Sequence, residues 1–144
     1  MVRRRMFTEE DMLHIALLNY ARSIGLFVIH QQNEGRRTRS EAIYHKKMGG
    51  IRGASDLIIL NARCGYDSLF MELKTSKDKV FKKDEKLKKS DTLTHQMNFI
   101  KKGYKHNIIG CFCWSFDMGK EILDAYKNND KSHLEKVAQV NIYG

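Results

Sequence analysis

"GASDLIILNARCGYDSLFMELKT" (residues 53–75) holds two apolar runs, "SDLIIL" over 55–60 and "SLFMELKT" over 68–75, joined by the turn-rich "NARCGYD". Both runs are rich in β-branched and aromatic residues, and the short polar joint predicts an antiparallel hairpin. Each run also carries charge where a core strand excludes it: Asp56 opens the first, and Glu72 and Lys74 close the second. A buried, unpaired carboxylate costs several kcal/mol or takes up a proton. Two acids at neighbouring strand ends therefore imply a partner that wants negative charge.

The rest of the chain falls into place around this hairpin. Thr8 followed by Glu9, Glu10 and Asp11 is a helix start: a hydroxyl cap with acids against the positive end of the dipole. Leu13, Ala16, Leu17, Tyr20, Ala21 and Ile24 then recur at helical spacing, and Gly25 ends the run. "LFVIHQQ" (26–32) reads as a strand. Residues 33–53 are polar, basic and glycine-punctuated, with room for a short helix over 40–48. "SKDKVFKKDEKLKKSD" is a charge-dense connector, expected to be mobile. A second helix is expected over 92–102, with Leu93, Gln96, Met97 and Ile100 on one face and Gly103 as its stop. "NIIGCFCWSF" gives a buried strand and "DMGKEILDAYKNN" a closing helix. The expected architecture is α/β, a mixed sheet with the order α-β-β-β-α-β-α in one domain over 1–144.

Composition narrows the function classes. With 144 residues and 42% hydrophobic content the chain can bury a core. It has no apolar run of the ~20 residues needed to span a bilayer. "MVRRRMFTEEDM" lacks the apolar stretch of a secretory signal, and Cys64, Cys111 and Cys113 have no disulfide or zinc-site spacing. Reduced thiols in a cytoplasmic protein are expected. The six histidines show no HExxH spacing, which argues against a zinc hydrolase. A net charge of +9 favours a polyanionic partner, nucleic acid or an acidic membrane surface.

Strand geometry puts Glu72 and Lys74 on one face, with Leu73 pointing into the core. Hairpin pairing would bring Asp56 beside Glu72. Two carboxylates so placed repel unless a cation joins them, and hard oxygen ligands with open positions suit magnesium, with manganese as a substitute. Lys74 would hold an ammonium against a phosphate oxygen or a water. The set fits metal-assisted hydrolysis of a phosphodiester. A surface ion pair between Glu72 and Lys74, with Asp56 as a turn acid, is the plain structural alternative.

Six stretches together resemble the VRR-NUC family of nucleases, within the restriction-endonuclease-like PD-(D/E)XK superfamily. They are "EEDMLHIALLNYARSIG", "NEGRR", "GGIRGASDLIIL", "LFMELKT", "THQMNFIKKGY" and "CWSFDMGKEIL", in that order over most of the chain. The resemblance implies a restriction-endonuclease-like core. It makes Asp56 the metal-binding acid of the PD motif, and Glu72 and Lys74 the acid and lysine of (D/E)XK. It adds the Leu73 backbone carbonyl as a metal ligand, Glu10 as a first-helix acid facing the site, directly or through water, and Gln96 as the glutamine of the second helix. Ser55 stands where the family usually has proline, and His14 where it often has glutamine. The first departure is expected to cost only loop rigidity. The resemblance is to stand-alone proteins of phage and bacterial type, which implies a homodimeric, magnesium-dependent DNA endonuclease acting on branched DNA such as four-way junctions, in the cytoplasm of a bacterial host.

Arg36, Arg37, Arg39, Lys46, Lys47 and Arg52 precede Asp56 and are candidates for holding a phosphate backbone. A solvated basic loop explains them as well. A non-catalytic nucleic-acid-binding module with the same fold is the competing function. Against it stands the complete Asp56, Glu72, Lys74 set, because a binding module has no use for acids facing phosphate. Metal-dependent cleavage separates the two.

Overall fold

The computed structural model describes residues 6–30, 38–49 and 53–144. Among the described residues, four strands form one mixed sheet: β1 (Val28–His30), β2 (Leu57–Ile59), β3 (Ser68–Leu73) and β4 (Ile108–Cys113), in the spatial order β1-β2-β3-β4. β1–β2 and β2–β3 are antiparallel, and β3–β4 is parallel. The expected hairpin is present, with Leu57 opposite Met71 and Ile59 opposite Leu69.

Among the described residues, five α-helices accompany the sheet: α1 (Glu9–Ser23), α2 (Arg39–Lys47), α3 (Asp91–Lys105), α4 (Phe116–Lys127) and α5 (Lys131–Val137). The order thus differs from the expected α-β-β-β-α-β-α by α2 and α5. The short α5 is seven residues long, capped by Asp130 on the His133 N–H, and buries Leu134. A helix of two turns with one buried residue carries too little periodicity to be read from sequence.

α1 begins as expected. Thr8 accepts from the Asp11 N–H at 3.1 Å while Asp11 accepts from the Thr8 N–H at 2.9 Å, a reciprocal capping box. α1 packs with α4 on one face of the sheet, against the layer of Leu57, Ile59, Leu69 and Met71. Gly119 makes the α1–α4 approach possible, since a Cβ there would lie 2.5 Å from the Leu17 side chain. Tyr20 of α1 donates a hydrogen bond to Asp124 of α4.

α3 covers the other face over β3 and β4. It does not stop at Gly103. That glycine is buried inside the helix, where a Cβ would lie 3.0 Å from the Phe70 ring, so it allows a close helix–sheet contact. The lysine-rich connector is also folded. Lys77–Lys79 form a 3₁₀ turn, Phe81 bridges Leu87, and Val80 and Phe81 are buried in the core. The expectation of mobility counted its charges and missed the apolar pair inside the run. Cys64, Cys111 and Cys113 are free and buried. No helix among the described residues is long and apolar enough to cross a membrane.

Candidate metal and phosphate site

At the C-terminal end of β3 the chain direction sets which groups meet. The Lys74 N–H bonds the Cys113 carbonyl on β4 at 2.8 Å, whereas the Leu73 N–H turns the opposite way and donates to Asp56 Oδ2 at 2.8 Å. A strand residue's N–H and C=O point to the same side, so the Leu73 carbonyl also faces the Asp56 side, past the end of β2. Asp56 is thus fixed by backbone with one oxygen uncommitted to that bond.

Glu72 lies on the α3 face and is 2% exposed. Gln96 Nε2 of α3 donates to Glu72 Oε1 at 2.7 Å. Gln96 is brought there by a tight approach of the loop before β2. Gly53, at φ +84°, lies so close to α3 that a Cβ would be 2.5 Å from the His95 carbonyl carbon and 2.9 Å from the Gln96 nitrogen. Only glycine fits both the conformation and the gap.

Ser55, Glu72 and Gln96 are the buried polar residues of the described chain. The buried side-chain oxygens and nitrogens without a partner are, among the described residues, Ser55 Oγ, Glu72 Oε2 and Gln96 Oε1. Buried polar atoms are nearly always satisfied, and this concentration of exceptions falls on the two sequence signals, Asp56 with its preceding serine and Glu72 with its glutamine. Ser55 therefore does more than replace a rigid residue: it puts a buried hydroxyl without a partner immediately before Asp56.

The acids feel one another. Burial comes first in raising the Glu72 pKa well above the ordinary glutamate value, followed by the charge of Asp56 and the hydrogen bond the two carboxyls form once one is protonated. Lys74 lowers it and Glu10 raises it. Glu72 Oε2, buried beside this second acid, has no hydrogen-bond partner. Glu10 is largely open to solvent along its length. Partial burial of its carboxyl nevertheless raises its pKa, as does Asp56, against the lowering effects of Lys74 and Lys79. Glu10, Asp56, Glu72 and Lys74 thus form one electrostatic neighbourhood, with Gln96 bonded into it.

The arrangement fits a hard divalent cation through two carboxylates and the Leu73 carbonyl. The unpartnered Glu72 oxygen and the charge-crowded acid pair are what such an ion would satisfy. No three His, Cys, Asp or Glu side chains among the described residues form a ready cage. A cation held by Asp56 and Glu72 would therefore meet Glu10 only through water, and would keep several waters, as magnesium does.

Arg39, Lys46 and Lys47 are exposed on α2, without a hydrogen bond or ion pair to the acids among the described residues. Arg36, Arg37 and Arg52 lie outside the described residues. Two further groups lie near the acids: His14, which already stood out as a departure from the family pattern, and one that was missed. His14, one turn after Glu10, meets His30 of β1 edge-to-face at 4.4 Å. Burial and His30 lower its pKa, and Asp56 opposes them. Its i+4 spacing from Glu10 was the available signal. Lys79 is the second, brought near Glu10 by the folded connector.

No protein-family profile and no curated protein sequence matches the chain. Its fold is similar to that of a solved structure described as a VRR_NUC domain protein. The TM-score is 0.58 and the sequence identity 22%, with 85% of this chain and 91% of that one covered. At this identity the likeness is one of fold: the chain has the mixed α/β architecture of a VRR_NUC domain protein.

Proposed function

We propose that this protein is a magnesium-dependent endonuclease that hydrolyses phosphodiester bonds of DNA, with branched DNA such as four-way junctions as its substrate class. The observation that carries the reading is the acid pair of half-buried Asp56 and buried Glu72, with an unpartnered Glu72 oxygen at the end of a strand next to Lys74. A stable fold has no use for that combination, whereas a cation and a phosphate complete it.

In this reading Asp56 and Glu72 hold the cation, with the Leu73 carbonyl beside them. The Leu73 N–H fixes Asp56, and Gln96 fixes Glu72. When bound, the cation lowers the pKa of a water and neutralises charge building on the phosphate. Lys74 contacts a phosphate oxygen or orients the attacking water, and Glu10 holds outer waters. A homodimer is part of the proposal. β1 is an edge strand with exposed Phe27 and Ile29 in and beside it and exposed Leu60 next to it, apolar surface that a two-fold copy would cover.

The test is cleavage of labelled junction, flap, duplex and single-stranded DNA with Mg²⁺ or with chelator. The parent is expected to cut the junction only with Mg²⁺. Asp56→Asn and Lys74→Ala are expected to lose about 10²-fold or more. Glu10→Gln should lose roughly tenfold, the scale of an outer-shell ligand partner, and Glu9→Gln almost nothing. Binding without cleavage by the parent would replace this reading with that of a non-catalytic nucleic-acid-binding module.

A further inference from the structure

Residues 77–89 carry seven lysines and three acids, a run that electrostatics alone would spread apart. The fold instead holds it as a tight strap. The Lys82 N–H bonds the Lys86 carbonyl at 2.8 Å, the Lys88 N–H bonds the Val80 carbonyl at 2.9 Å, and the Glu85 N–H bonds the Lys82 carbonyl at 2.9 Å. Val80 is fully buried, and Phe81 packs edge-to-face on Phe112 and Trp114 at 6.3 and 6.0 Å. Lys77 pairs with Glu85 at 2.9 Å and lies over the Trp114 ring.

The anchor decides where the strap lies. Phe112, on which Phe81 rests, is the β4 neighbour of Glu72. At the strap's base Lys79 donates to Thr75 Oγ1 and is near enough to Glu10 to lower its pKa. The remaining lysines, Lys82, Lys83, Lys86, Lys88 and Lys89, are exposed, and their ammonium groups have no hydrogen bond or ion pair among the described residues. An ordered surface loop that keeps five unpaired ammonium groups side by side is built to meet a polyanion.

We propose that this strap is the nucleic-acid backbone clamp of the site, its exposed lysines taking phosphates that flank the scissile one and Lys79 continuing that positive surface to the acids. The inference rests on the nuclease reading for its occupant. A DNA backbone suits the strap better than a lipid surface, because its apolar residues point to the protein: Val80 and Phe81 are buried and Leu87 is half-buried against the core, so no exposed apolar residue is left to enter a bilayer.

The experiment is anisotropy of a labelled four-way junction and a duplex, in chelator, over a salt series. It compares the parent with Lys83→Ala/Lys86→Ala/Lys89→Ala and with a control, Lys101→Ala/Lys102→Ala/Lys105→Ala. The control removes equal charge from the far end of α3, where all three lysines are exposed. Loss of three phosphate contacts is expected to lower the slope of log K against log salt by about 2–3 units and to weaken binding by roughly 10–100-fold. The control should change little, and both triples should melt near the parent, since the residues replaced are exposed. A strap triple that binds like the control overturns the clamp and leaves the nuclease reading standing. A parent that binds no DNA overturns both. Reduced DNA binding by the strap triple, with a parent that never cleaves, supports the clamp and removes the nuclease. Unchanged DNA binding with lost binding to anionic-lipid vesicles assigns the strap to a membrane and overturns the proposal.

Discussion

Glu72 accepts from Gln96 with one oxygen and has no partner for the other, while its burial, and after it the charge of Asp56, favour the protonated form. A carboxyl whose folded pKa lies above its unfolded value of about 4.3 contributes stability that is fully present below that value. The contribution is lost as pH rises through the folded pKa. Without metal, burial of Glu72 therefore weakens the fold increasingly as pH rises above that unfolded value. Glu72→Gln removes the charge and keeps an oxygen to accept from Gln96. It is expected to raise the melting temperature by a few degrees at pH 7 in chelator, with the advantage fading toward pH ~4. Thermal melts from pH 4 to 8 check this, and a lower melting temperature for Glu72→Gln at pH 7 would make the carboxylate structural. At this scale much of the candidate site was legible. Asp56, Glu72 and Lys74 stand out as charge at the ends of apolar strands, which the period-two pattern aligns. Gln96 did not stand out from its residue type, because an amide on a helix face is ordinary; only the resemblance marked it. The His14–His30 contact joins a helix to a strand that touches it only in three dimensions.

The elements were read through their apolar faces, and where that failed a glycine or a buried pair was responsible. Gly103 read as a helix stop, but its missing side chain serves the contact with Phe70 within α3. Val80 and Phe81 were hidden among lysines, yet two buried apolar residues suffice to hold a loop of this size on the sheet. Gly53 was read as punctuation. In the structure it is the point where the loop before β2 meets the backbone of α3, and so the joint that sets Asp56 against β3 and Gln96 against Glu72. Gly53→Ala meets backbone atoms of His95 that cannot step aside and needs a left-handed conformation. It is expected to cost ~1–3 kcal/mol of stability and to lower Mg²⁺-dependent turnover more than substrate affinity, because it shifts the acids relative to each other. Denaturant unfolding and steady-state kinetics measure the two effects. A stable Gly53→Ala protein with parental kcat would show that the joint does not position the site.

At the scale of the molecule, one sheet collects parts of the chain that are far apart in sequence. α1 brings Glu10, the loop before β2 brings Asp56, β3 brings Glu72 and Lys74, α3 brings Gln96, and the strap brings Lys79. The α/β class and the β2–β3 hairpin followed from periodicity and turn chemistry, whereas α5 and the folded strap depend on tertiary contacts that no local pattern carries. Because the acids converge only in the folded chain, the central claim is that folding builds a divalent-cation site around Asp56 and Glu72. Calorimetric titration of Mn²⁺ into the DNA-free protein tests it without reference to cleavage. The account predicts saturable binding by the parent and its loss in Asp56→Asn, with the circular dichroism spectrum of the variant unchanged. Absence of saturable binding by the parent, or equal binding by a folded Asp56→Asn protein, would contradict it.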